Sequence, residues 1–323
     1  MKRFIGLVLC IALFITIIGC NLNKSNGKVT FHGWIVDWDF QGGIEEARNS
    51  SHHLDNLSYF GVYFNKDGLL YKNESFSSNI DTLAKEYDKL YITVVNDVIN
   101  EDNSIEKDSD VIHSILNSND KKERHIAELL NLADDKIIEG IELDYEKIQD
   151  SDWKKYISFI DEVGTKLANK GKKLRVVLQS SAPVNKLKFP TEYEYIVMVY
   201  NLYGNKTKPG PKADKDYVES VCNKFKGELE NLQLAFSLSG AEWLDNGEYK
   251  SLSRNDITQI RNGNSVDITR AKESDALTFS YRDEKNNFCE VWYSDDETIK
   301  SWMNIAKSKG IYKFSIWRLG GNI

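Results

Sequence analysis

Glu139-Gly140-Ile141-Glu142-Leu143-Asp144-Tyr145-Glu146 is the stretch on which the fold turns. Read as a strand, its side chains alternate between two faces. Glu142, Asp144 and Glu146 share one face, and Ile141, Leu143 and Tyr145 share the other. Neighbours two apart on a face lie roughly 6.5–7 Å apart, so three carboxylates stand in a row. Like charges at such spacing raise at least one pKa. A carboxylic acid kept protonated near neutral pH is what a general acid requires. A half-exposed strand with acids in water and aliphatics in the core accounts for the same alternation. The rest of the chain has to separate the two readings.

Apolar strand-like runs alternate with helix-like stretches on both sides of this segment. Strands are predicted at 29–35, 57–64, 90–95, 137–146, 174–178, 195–200, 232–238 and 312–317. Helical spacing falls at 79–87, around Val111, Ile112 and Ile115, and from Ile126 to Ala133. It recurs from Trp153 to Leu167, where Asp150-Ser151-Asp152 offers an N-cap and Gly171 a stop. Further helices are expected at 217–229, and from Ile299 to Ala306 behind a cap at Asp295 or Asp296. A long insertion precedes the last strand. It holds Gly240-Ala241-Glu242-Trp243, polar loops around Asn262-Gly263-Asn264, and a hairpin pairing 277–281 with 289–293. Eight strands separated mostly by helices predict an α/β protein, a (β/α)8 TIM barrel with a β-hairpin-containing insertion between strands 7 and 8. No glycine-rich phosphate fingerprint follows any strand, which argues against a nucleotide fold. The chain leaves no room for a full closing helix after Trp317, so how the barrel closes is open at this stage.

In such a barrel the functional face is at the carboxyl ends of the strands. Glu146 ends the fourth strand, Tyr200-Asn201 the sixth and Trp317 the eighth. Acids pointing into a barrel are not a solvated sheet face; they need partners or a chemical role.

The 323 residues are 41% hydrophobic and 11% aromatic, enough for a large core. The formal net charge is −7, from 42 basic and 49 acidic residues, with no basic stripe for nucleic acid. His-x-x-x-His and Cys-x-x-Cys spacings are absent, so no zinc site is expected. Lys2 and Arg3 precede a short apolar run that ends in Ile17-Ile18-Gly19-Cys20. The run is shorter than the ~20 residues that span a bilayer. It resembles a bacterial lipoprotein signal, which implies cleavage after Gly19, acylation of Cys20 and a tether to the membrane outside the cytoplasm. Residues 1–19 are therefore read as signal, 20–28 as a polar linker and 29–323 as the barrel. Outside the cell Cys222 and Cys289 are free either to pair or not.

The acid run resembles the signature of glycoside hydrolase family 18, the chitinase-like family, Asp-Gly-x-Asp-x-Asp-x-Glu on its fourth strand. Met198-Val199-Tyr200-Asn201 resembles the family's Met-x-Tyr-Asp on the sixth strand. Ser315-Ile316-Trp317-Arg318-Leu319-Gly320 resembles its last strand, and Gly33-Trp34-Ile35-Val36-Asp37-Trp38 its first. Members of that family are substrate-assisted exceptions to the two-carboxylate glycosidase scheme. The resemblance implies that Glu146 is the proton donor and that Asp144 accepts the substrate's amide N–H. Glu142 would lie behind Asp144, sharing a proton or raising its pKa. Tyr200 would donate to the acetamido oxygen, and Trp317 would form the apolar floor under the sugar. Asn201, Trp38, Trp243 and Met198 complete the expected substrate contacts. Met198 also suits plain packing, and Trp243 suits packing of the insertion equally well.

Three positions depart from the pattern: Glu139, Glu142 and Asn201 stand where the family has Asp. None removes the proton donor. The resemblance thus implies a retaining glycosidase of chitinase or endo-β-N-acetylglucosaminidase type, acting without cofactor on β-linked N-acetylglucosamine glycans as a monomer. A catalytically weak, sugar-binding lipoprotein is the alternative. A Ca²⁺ or Mg²⁺ site built on the acid row ranks third.

Overall fold

The computed structural model describes residues 27–49, 54–100 and 104–321. The eight predicted strands are present: β1 (Thr30–Val36), β2 (Asn56–Asn65), β3 (Leu90–Ile99), β4 (Ile138–Asp144), β5 (Lys173–Gln179), β6 (Glu194–Met198), β7 (Asn231–Ser237) and β8 (Lys313–Trp317). Each pairs in parallel with the next, from β1·β2 and β2·β3 round to β7·β8. The ring closes through β8 on β1, Thr30 opposite Lys313 and Gly33 opposite Ile316. This is a closed (β/α)8 barrel.

Closure therefore needs no further helix at the ladder. Beyond Trp317 the chain turns back over the mouth of β1. Leu319 N–H donates to the Trp34 carbonyl, Gly320 N–H to the Glu46 carboxylate and Gly321 N–H to the Asp39 carboxylate. Gly320 and Gly321 have φ of 93° and 75°, a region that only glycine enters cheaply. A Cβ on Gly320 would lie 2.5 Å from an Asp39 oxygen.

The alternation in β4 sorts residues as the sequence predicts. Ile141, Leu143 and Tyr145 point outward into the layer between sheet and helices, against Tyr156, Phe159 and Ile160. Those three lie on the helix Trp153–Ala168. Asp152 stands at its N-cap position but makes no side-chain cap bond; it binds His113 and Asn117 instead. Inside the barrel, Trp34, Phe60, Val95, Val177, Ile196, Met198 and Ala235 form a second cluster.

The insertion is more regular than its sequence suggests. The hairpin is found as predicted, Leu277–Arg282 against Phe288–Tyr293. It belongs to a five-stranded antiparallel sheet with Gly240–Leu244, Tyr249–Leu252 and Thr269–Arg270. The stretch ending at Asn262-Gly263, expected as loop, is the end of a helix, Arg254–Gly263, opened by a Ser253–Asp256 capping box. Only Ile257 of that helix is buried, too little apolar periodicity to read. Cys222 and Cys289 are both buried and free rather than bridged. Residues 1–26, with the expected signal and Cys20, lie outside the described residues. Among the described residues no helix is long and apolar enough to cross a membrane.

Candidate active site

The three acids of the opening stretch sit at three depths in the barrel and have three different sets of partners. Glu142 is deepest and fully buried. Its carboxylate accepts from Trp34 Nε1, from Thr93 Oγ1 at 2.7 Å and from Ser58 Oγ at 3.1 Å. The buried Arg175 guanidinium stands 3.5 Å away and also meets Glu194 at 3.0 Å. Register explains the grouping: Thr93, Glu142, Arg175 and Glu194 are cross-strand neighbours in one layer. Arg175 also lies over the Tyr91 ring, 4.5 Å from its centroid. No Glu142–Asp144 hydrogen bond is found among these contacts. Of the two roles the resemblance implies for Glu142, the contacts agree with the second: its charge, after burial and the Glu146 charge, adds to the raised pKa of Asp144.

Asp144 ends β4 and is 7% exposed. Its Oδ1 is buried without a hydrogen-bond partner. Burial first, and then the neighbouring Glu146 charge, push its pKa well above the ordinary carboxylate value. A carboxylate so placed opposes folding once it ionises. The stability associated with its protonated form is present below the unfolded pKa near 4 and is lost as pH rises through the raised folded value. Asp144→Asn is therefore expected to raise unfolding stability at pH 7 by about 1–2 kcal/mol. The gain over wild type should vanish below about pH 4. Urea titrations at both pH values check it.

Glu146 lies just past β4, held by its backbone. Its N–H donates to Asn96 Oδ1 at 2.9 Å, and its carbonyl accepts from Asn96 Nδ2 at 3.0 Å. One carboxylate oxygen accepts from Gln179 Nε2 at 2.9 Å. The other lies 3.6 Å from Lys107 Nζ. Its pKa is raised, chiefly by burial, with Lys107 pulling the other way.

Tyr200 faces this group from just past β6. Burial and the charges of Asp144, Glu146 and Glu142 hold its hydroxyl protonated. Trp317 ends β8 and packs edge-on against Trp34 and Phe60, centroids 5.8 and 5.2 Å away. Trp38, in the 3-10 turn Asp37–Asp39 after β1, is 57% exposed and stands edge-on to Phe60. Trp38 and Trp317 line one cavity of about 340 Å³ with Ser239, Arg254 and Arg318. Asp144, Glu146, Tyr200, Trp317 and Trp38 all lie at the carboxyl-end mouth of the barrel, with Glu142 in the interior beneath them. Asn201 is exposed beside Tyr200. Met198 is buried in the inner cluster beneath. Trp243 does not join them: it is buried in the insertion sheet, bonds the Gly204 carbonyl and lines a separate cavity of about 290 Å³. Among the described residues no group of three His, Cys, Asp or Glu is placed to hold a metal.

Several residues of the site were not foreseen: Ser58, Thr93, Asn96 and Gln179 among the polar partners, and two charged ones, Arg175 and Lys107. Arg175 interrupts an otherwise apolar run, Leu174-Arg175-Val176-Val177-Leu178, and a charge inside a strand buried on both faces is a signal for a paired interior ion. Lys107 gave no such signal. It stands just beyond a two-residue strand, Ser104–Ile105, that folds back on Val98 and Ile99.

No family model matches the chain. It is 24% identical over 228 residues to the "Uncharacterized glycosylase YvbX" of Bacillus subtilis (strain 168), covering 66% of each. It is 22% identical over 294 residues to a "Cortical fragment-lytic enzyme" of Bacillus anthracis, covering 86% of this chain and 67% of that one. The matches thus span about two thirds of these relatives' own length. Among solved structures, a chitinase from Chromobacterium violaceum ATCC 12472 superposes with a TM-score of 0.78 at 18% identity, over 91% of this chain and 95% of the other. The chain has the fold of that chitinase, and it is similar in sequence to relatives named as a glycosylase and a lytic enzyme.

Proposed function

We propose that this chain is a retaining glycoside hydrolase of β-linked N-acetylglucosamine-containing glycans, chitin-like or peptidoglycan, that uses the substrate's own acetamido group. The observation that carries it is the Asp144–Glu146 pair: two adjacent carboxyls with raised pKa values, one with a buried, unpartnered oxygen. The relatives' names point to the same kind of chemistry.

Glu146, protonated, donates its proton to the glycosidic oxygen as the bond to the anomeric carbon breaks. The acetamido carbonyl oxygen attacks that carbon from the opposite side, closing a cyclic oxazolinium ion. Asp144 Oδ1, buried and without a partner, accepts the amide N–H, which orients the acetamido group for attack. Tyr200, its hydroxyl kept protonated, donates to the acetamido oxygen. Trp317 supplies the apolar platform for the sugar ring. After the leaving sugar departs, Glu146 as carboxylate takes a proton from water, which opens the ring with net retention. Asn201 keeps a hydrogen-bonding side chain beside Tyr200 without charge. Export and tethering through an acylated Cys20, and action as a monomer, belong to the same proposal.

A panel of chitooligosaccharides, peptidoglycan and N-linked glycans, incubated with the chain starting after Cys20 and read by product mass, tests it. Cleavage at N-acetylglucosamine linkages is expected. Tight binding of chitooligosaccharides without cleavage from pH 4 to 8 would replace it by the sugar-binding alternative.

A further inference from the structure

The hydrolase reading asks nothing of the arm that leaves β3, yet that arm is built around one lysine. Residues Ser104–Ile105 pair back onto Val98 and Ile99. Lys107 then takes a left-handed backbone conformation, φ 52°, which costs a non-glycine residue energy unless its surroundings impose it. They do. Lys107 N–H donates to Asp97 Oδ1 at 2.8 Å, and Lys107 Nζ to the same oxygen at 3.2 Å. The following turn is fastened by Asn96, which donates to the Asp108 carbonyl and accepts nothing less than the Glu146 N–H on its other atom. From below, Lys147 Nζ donates to the Glu106 carbonyl at 3.2 Å. The Phe60 ring, 5.7 Å from Lys107 Nζ, walls the ammonium on one side. Asn96 thus joins the arm and the acid into one backbone unit, with Lys107 Nζ 3.6 Å from Glu146 Oε1.

We propose that Lys107 is a positioning residue for the catalytic cycle: its ammonium is the fixed counter-charge that makes the anionic form of Glu146 tenable between proton donation and proton recovery. The inference rests on Glu146 being the acid. At 3.6 Å the contact is an ion pair rather than a hydrogen bond, so Lys107 does not relay the proton itself. The need is set by the other groups facing Glu146. Asp97 from β3 and Asp144 from β4 are acidic. Tyr200, just past β6, is neutral, and Gln179 from β5 is a neutral donor. Lys147, the next residue in the chain, is the second cation acting on Glu146. A carboxylate beside two others and largely out of water holds its proton more tightly and surrenders it poorly. An adjacent cation reverses part of that penalty without becoming a donor to the substrate. Burial and the Asp144, Glu146 and Asp97 charges act on Lys107 in opposite senses, and its pKa ends above the ordinary lysine value, so it stays charged throughout.

The test is a carboxyl ¹³C NMR titration of glutamate-labelled protein, with Glu146 assigned by its loss in Glu146→Gln. In Lys107→Met the Glu146 midpoint is expected to rise by about one pH unit or more. The alkaline limb of kcat/KM on a cleaved glycan should move up with it, because the acid must be protonated to act. Lys107→Arg is expected to keep the wild-type midpoint. Asp97→Asn removes a negative charge while keeping an acceptor for the Lys107 N–H, so it should move the midpoint down, and it serves if Lys107→Met does not fold. An unmoved Glu146 midpoint in Lys107→Met, or in Asp97→Asn should that be the variant that folds, overturns the inference even if activity falls. A shifted midpoint with Glu146→Gln still fully active would keep the ion pair and discard Glu146 as the acid.

Discussion

Glu146→Gln is expected to lower kcat by roughly 100- to 10,000-fold with little change in KM or in melting temperature. The substitution keeps the side chain's length and leaves the Asn96 clasp on the Glu146 backbone untouched. It removes the only feature that matters to the chemistry: an amide neither gives up a proton to the glycosidic oxygen nor takes one from water. Both halves of the reaction lose their catalyst at once, so the loss appears in kcat. Lys107 keeps Asp97 as a partner, so no cation is stranded. A fall in KM-dependent binding with kcat unchanged would assign Glu146 to recognition instead.

The second large effect is on stability. Glu142→Ala is expected to destabilise the barrel by about 3–5 kcal/mol, read by urea denaturation. Glu142 is fully buried, and its carboxylate satisfies Trp34, Ser58 and Thr93 and faces Arg175. Truncation leaves the buried Trp34 and Thr93 donors without an acceptor, leaves Ser58 only His32, and removes half of the Arg175 carboxylate pairing. Leaving such groups unpaired costs far more than the pair is worth. Activity should suffer as well, because Trp34 underlies Trp317 and loses its anchor. Glu142→Gln, which keeps the volume and one acceptor, should be milder. A change below about 1 kcal/mol in Glu142→Ala would mean that water or a rearranged Glu194 replaces the lost carboxylate.

These two expectations separate residues that the sequence presents as equivalent. The alternation in β4 is legible because one face of each barrel strand meets helices and the other meets the interior, so apolar and acidic residues cannot trade places. The hairpin at 277–293 is legible for a similar reason: two strand-like runs flank a polar turn. The depth of each acid is not legible, since depth depends on which neighbouring strands stand in register. Thr93 and Ser58 look like ordinary strand residues until β3 and β2 bring their hydroxyls to Glu142. Trp243 and Trp38 illustrate the same limit. Both follow strands and both suit sugar stacking, but the insertion sheet buries the first while the turn after β1 exposes the second. Lys107 is the hardest to foresee: its place is set by a left-handed residue beside a two-residue strand, and neither has a periodicity.

The departures from the family pattern also read differently in three dimensions. Glu139 meets Lys89 and Lys173 at the start of β4, away from the mouth, and these cations hold its pKa below the usual value. Its extra methylene serves surface ion pairs. The extra methylene of Glu142 belongs to a carboxylate that faces Arg175 and three donors rather than bonding to Asp144.

The central claim is that the substrate's acetamido group is the nucleophile and Glu146 the single enzyme acid and base. Proton NMR of the anomeric signals during the first minutes of chitooligosaccharide or peptidoglycan cleavage tests it most directly. The account predicts that the first-formed reducing end is the β-anomer, which then relaxes to the equilibrium mixture. A first-formed α-anomer would mean direct attack by water and would contradict it.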